Sequence, residues 1–145
     1  MTKDVRSIAE DLCRLYDTRD PFEIARARGI LIVFEPLGSI RGYYNVFLRT
    51  KFIHINEGLD QMERLKVCAH ELGHAVLHTT SNTIFLRDHT YISVNKMEWE
   101  ANCFMSMLAY SDDELMELIE CSFLQLEKIL GIPEDLIRWR YEQLP

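Results

Sequence analysis

The chain has 145 residues, 48% of them hydrophobic and 27% charged, which suits one globular domain with a real apolar core. It carries 16 basic against 23 acidic residues, a formal charge of -7, so no general attraction to nucleic acid or to an anionic membrane is expected. No apolar run approaches the roughly 18 residues that a membrane helix needs, and the charged start MTKDVRSIAEDLCRLYD lacks the apolar centre of a signal peptide, so a cytoplasmic protein is expected.

In chain order, Val5, Ile8, Ala9, Leu12, Leu15 and Tyr16 fall at helical spacing within residues 3–17. A second short helix follows Asp20 as its cap and Pro21 in its first turn, and ends at Gly29. ILIVFEPL reads as a strand closed by Pro36. Two more strands are expected near 40–48 and 51–56, with a tight turn at Arg49–Lys51. Asp60 to His78 is one long helical pattern, and residues 79–95 read as a loop or weak extended segment. Further helices are expected over Met97–Ala109 and from Ser111 to Cys121 or beyond, with Ser111 and Glu114 as a capping box. The last stretch, SFLQLEKILGIPEDLIRWRYEQL, reads as two helical segments broken at Gly131–Pro133. The cysteines Cys13, Cys68, Cys103 and Cys121 are widely spaced with no CxxC pair, and read as small buried hydrophobes rather than disulfides or metal ligands.

The chemistry concentrates in VCAHELGHAVLH, residues 67–78. Helical residues four apart share a face, so His70 and His74 project side by side and can hold one ion. Glu71 lies about 100° round the helix, poorly placed as a third ligand but able to reach a water beside the metal. That is the logic of HExxH in zinc peptidases: the ion acidifies the water and the carboxylate takes its proton. His78 stands about 6 Å further along the axis than His74, which makes it a packing or supporting residue rather than a ligand. A catalytic zinc usually has three protein ligands and an open position. Downstream, His89, Glu98, Glu100, Asp112, Asp113 and Glu114 can compete for the third place. Glu98 is favoured because it shares a face with Asn102, which could hydrogen-bond a ligating imidazole, whereas Glu100 lies about 200° away and is expected to meet solvent.

GYYNVFLRTKFIHINEGLDQMERLKVCAHELGHAVLH followed by EWEANCFMSMLA resembles the ImmA/IrrE-type metallopeptidases of bacteria, phages and mobile elements. The resemblance covers roughly residues 20–110, and CFMSMLAY departs from the family's commoner ending after the second motif. It implies His70, His74 and Glu98 as metal ligands and Glu71 as general base. It also implies one α+β, zincin-like domain, with a small antiparallel or mixed sheet packed on the HExxH helix and on a second, Glu-bearing helix. Residues 1–110 would form that core and 111–145 a helical C-terminal extension. The expected ion is zinc, although a His2Glu site with an open position also accommodates manganese or iron. Family members are implicated in cleaving, or triggering the cleavage of, helix-turn-helix repressors, so the expected partner is such a repressor, bound as substrate.

Four residues are candidates for stabilising an oxyanion: Tyr43 and Tyr44 on the expected strand, and His89 and Tyr91 after the HExxH helix. The closing segment has a helix-turn-helix rhythm with Arg138 and Arg140, but Glu127, Glu134, Asp135 and Glu142 leave it no net basic face. A helical cap or docking surface is expected there, and no direct nucleic-acid binding. The alternative to an endopeptidase is a non-enzymatic regulator that uses the metal structurally and binds a repressor. Glu71 argues against it, because a structural site has no use for a carboxylate beside the ligand pair. Oligomeric state is not legible in the sequence.

Overall fold

The amphipathic start forms helix α1 (Val5–Tyr16), with Val5, Ala9 and Leu12 buried and Asp4 capping it by accepting from the Ser7 amide. Helix α2 (Pro21–Ala27) begins on the Asp20 cap with proline in its first turn, as its residues predict. The structure is a computed structural model and describes residues 4–78 and 91–145, without the side chains of residues 91–94.

Three strands follow: β1 (Leu31–Glu35), β2 (Gly42–Phe47) and β3 (Thr50–Asn56). They form a mixed sheet in the order β1-β3-β2, with β1 parallel and β2 antiparallel to β3. Alternation puts Tyr44, Ile53 and Ile55 on the buried face, against the helices, and Tyr43, Phe52 and His54 on the other. The hairpin turn lies one residue earlier than expected, at Leu48–Arg49, because Phe47 pairs with Thr50. Both turn residues have positive φ, 49° and 66°, the conformation that a two-residue hairpin matching the sheet twist demands. Neither is a glycine or asparagine, so the usual sequence signal is missing.

Helix α3 (Gln61–Leu77), capped by Asp60, carries the HExxH run, and it packs most extensively on α4 (Tyr91–Ala109). Gly73 permits the close approach: a Cβ there would sit 3.2 Å from Ala101 Cα and from Phe104 Cβ. Gly42 does the same between sheet and helix, where a Cβ would lie 2.5 Å from Val67 Cγ1 and 2.6 Å from the His54 carbonyl.

Two expected boundaries shift. Helix α4 starts at Tyr91, well before Met97, while residues 79–90 of the expected loop lie outside the described residues. Helix α5 (Asp112–Glu117) stops short of Cys121. The cause is Ser122, which forms a reciprocal capping box with Gln125 at the start of α6 (Phe123–Leu130), so the chain must leave the helix before it. Ser111 caps α5 by accepting from the Glu114 amide. After Gly131–Pro133 comes α7 (Glu134–Glu142).

These last helices bury Leu126, Leu130, Ile132, Leu136 and Ile137. Ile129, on the opposite side of α6, is 56% exposed, and Trp139 is half-buried. Arg140 is buried and spends its guanidinium on the end of α4, donating to the carbonyls of Ser106 (3.1 Å) and Tyr110 (2.8 Å) and to the Asp112 carboxylate (2.8 Å). Arg138 pairs with Glu134 at 2.8 Å and lies over the Phe123 ring. Among the described residues no helix is long and apolar enough to cross a membrane.

Candidate metal centre

Successive turns of α3 stack His70, His74 and His78 in a row, with ring centroids 4.9 Å and then 5.1 Å apart. Glu98, on the facing helix α4, meets the first two rings. Its Oε2 lies 3.0 Å from His70 Nε2 and its Oε1 2.9 Å from His74 Nε2. Three donor atoms, one from each of these residues, fall within 4.8 Å of one another, and among the described residues this is the group that could hold a metal ion. Two imidazole nitrogens and one carboxylate suit a divalent cation with a position left for a fourth ligand. The structure thus brings together His70, His74 and Glu98 as the sequence pattern expects.

The electrostatics differ along the row. Burial pulls the His70 imidazole down, but Glu98, Glu71 and a hydrogen bond with Asn102 together outweigh it, and its pKa ends above the ordinary histidine value. For His74 burial wins: against the hydrogen bond to Glu98, its pKa is pushed down to about 4. Burial opposes the charge on Glu98, yet the two imidazoles hold its carboxyl well below the usual range. The anionic carboxylate and the neutral His74 are the forms that a metal requires.

Glu71 is 3% exposed, with Oε2 3.9 Å from His70 Nε2. Together with His70 and Asn102 it borders a cavity of about 480 Å³. Arg41 and the first residue of β2, Gly42, form one side of this cavity and the turn Gly131–Pro133 with Leu136 another, over Val67 and Met105. That the C-terminal turn lines the cavity was not legible in the sequence, because no motif marks it. Lys66 holds the turn by donating to the Leu130 carbonyl.

Two carboxylates two residues apart on α4 meet different fates. Glu100, expected in solvent, is 3% exposed, and its Oε1 lies 3.1 Å from His78 Nε2. The reason is that α4 is packed against α1, α3 and α7, and so has no free side at this level. The uncharged run Ala101–Ala109 is the sequence signal that marks such a central helix. His78 is buried and supports rather than joins the cluster: its Nδ1 lies 2.9 Å from His74 Nδ1.

The oxyanion candidates fare less well. Tyr44 is fully buried in the core, and Tyr43 stacks on His54 at 4.1 Å on the other face of the sheet. Neither borders the cavity. His89 lies outside the described residues, as does the Tyr91 side chain. His54, passed over in the sequence, bridges Glu35 (2.7 Å) and Asn45 (2.9 Å) on that same outer face, apart from the cavity.

Comparison with known proteins agrees with this geometry. Residues 25–142 match the peptidase family M78 model, described as the IrrE N-terminal-like domain. Immunity region protein 2 of Bacillus phage phi105 is 36% identical over 135 residues, which cover 91% of this chain and 85% of that protein. Metallopeptidase ImmA of Bacillus subtilis (strain 168) is 30% identical over 120 residues, covering 81% of this chain and 70% of that protein. With its His-His-Glu cluster between α3 and α4, the chain belongs to the IrrE N-terminal-like family of metallopeptidases.

Proposed function

We propose that this protein is a zinc-dependent endopeptidase of the cytoplasm that cleaves a helix-turn-helix transcriptional repressor. The observation that carries the reading is the convergence of three donor atoms within 4.8 Å beside the buried carboxylate of Glu71, at the edge of a peptide-sized cavity. The names of the two relatives, one an immunity region protein and one the metallopeptidase ImmA, support a regulatory protein as substrate.

In this reading His70, His74 and Glu98 hold the ion. Zinc bound there would supply Lewis acidity, polarising a peptide carbonyl and making water a better acid. Glu71 takes the proton from the attacking water and passes it to the leaving amine, as a single carboxylate can do for both halves of an amide hydrolysis. Asn102 keeps the His70 ring oriented. Strand β2 is an edge of the sheet and its first residue borders the cavity, so an extended peptide can add to the sheet there. The C-terminal turn lines the same cavity, so residues 1–145 act as one catalytic unit.

The test is to incubate the zinc-loaded protein with helix-turn-helix repressors from the same genome and to identify fragments by mass spectrometry. Discrete chelator-sensitive cleavage is expected. An intact repressor held in a stable complex with the zinc-loaded protein would overturn the endopeptidase reading in favour of a non-enzymatic regulator.

A further inference from the structure

Behind the metal cluster the polar row runs on into the interior: Glu98, His74, His78, Glu100. Its three gaps measure 2.9, 2.9 and 3.1 Å. His74, His78 and Glu100 are all buried. At such distances each gap must hold one hydrogen, or a cation in its place. Ionised carboxylates can only accept, and a neutral imidazole carries a single N–H. Two neutral imidazoles therefore fill two of the three gaps, and the row is one positive centre short.

Which gap stays open depends on the direction of the row. With Glu100 accepting from His78 Nε2–H, the His78 Nδ1 is bare and must accept from His74 Nδ1–H. Nε2 of His74 is then bare too, and the unfilled gap is the one facing Glu98, where a metal would sit. In the opposite direction His78 would present a lone pair to an ionised Glu100, two acceptors meeting in a buried place at 3.1 Å, which is costly. That direction needs a protonated Glu100 donating to His78, and it would put the His78 hydrogen on Nδ1.

We propose that Glu100, acting through His78, fixes the proton of His74 on Nδ1 and so presents its bare Nε2 to the metal position. Glu100 and His78 are positioning residues, and the inference rests on the reading that His70, His74 and Glu98 hold a metal. It gives a role to a buried carboxylate that no motif marks. It also explains why HELGHAVLH carries its third histidine one turn beyond the pair facing Glu98.

The experiment compares wild type, Glu100→Gln and Glu100→Met by titrating the metal-free full chain with Co2+. Affinity is read from the visible absorption, and the folding of each metal-free variant from its melting temperature. A 15N spectrum of the zinc-loaded wild type assigns the histidine tautomers. His74 is expected with hydrogen on Nδ1 and His78 with hydrogen on Nε2. Loss of such a supporting partner typically weakens metal affinity about 10- to 100-fold. Glu100→Met should show a loss of that size, and Glu100→Gln a smaller one, because its amide oxygen still accepts. A residue with only a packing role would leave Co2+ affinity and spectrum unmoved in a methionine variant that melts like wild type. Equal affinity in all three proteins would overturn the proposal, as would hydrogen on Nδ1 of His78, a result that stands whether or not the methionine variant folds. A wild type that takes up no Co2+ would instead overturn the metal reading itself, and this inference with it.

Discussion

The two ends of the histidine row on α3 are built from the same side chains and placed in opposite surroundings. At the open end, His70 and Glu71 border a cavity, and Glu98 is partly accessible. At the closed end, His78 and Glu100 lie in a packed interior with side chains 5% and 4% exposed. An imidazole beside a carboxylate can exchange its proton for a cation where substrate and ion can arrive. Enclosed, the same pair has only orientation to offer. Access, more than residue type, separates the end that borders the cavity from the enclosed one.

The largest way to break the contrast is at the open end. Glu98→Ala should abolish metal retention and peptidase activity together, yet leave the metal-free protein folded, because Glu98 is at the rim of the interior. Metal analysis after dialysis and a melting curve check this. A variant that keeps its metal would remove Glu98 from the ligand set.

The packed side breaks differently. Gly73→Ala places a methyl 3.2 Å from Ala101 and Phe104, so that α4 must give by a few tenths of an ångström against α3. Overpacking of this kind costs about 1–3 kcal/mol, visible as a lower melting temperature. Metal affinity should fall with it, because the proposed ligands come from both helices.

The smallest effect sharpens the difference between neighbouring rings. His70 titrates above the ordinary histidine value, whereas His74 is pushed down to about 4. Metal must displace the His70 proton, so affinity should drop as the pH falls through that raised pKa, with no second loss from His74 until far more acidic conditions. In the metal-free protein the His70 contribution to stability runs the other way: it is present at low pH and lost as pH rises through the same pKa. Metal affinity and metal-free melting measured across pH separate the two trends. A metal affinity unchanged from pH 8 to pH 5 would contradict the assignment of His70 as a ligand.

How much of this was legible in the sequence follows from the range of each interaction. Helical spacing alone put His70 beside His74, and one helical face put Glu98 with Asn102. Both are local geometry, and the structure brings these residues together. Glu100 was misplaced because a helical wheel gives angles but not neighbours, and α4 has neighbours on several sides. The hairpin turn slipped by a residue because Leu48 and Arg49 adopt positive φ without the residues that advertise it. The cavity wall at Gly131–Leu136 depends on how a distant segment folds back, and no local pattern encodes that.

In the proposed mechanism Glu71 works on the substrate's water while its neighbours hold the ion. Metal content and repressor cleavage measured on one preparation each of wild type and Glu71→Gln test it most directly. Both proteins should hold about one ion per chain, with cleavage in Glu71→Gln falling by at least 10²-fold, the lower range for loss of a general base. Metal lost in step with activity would make Glu71 a ligand, and undiminished cleavage would deny it a part in the reaction; either result would contradict its role as general base.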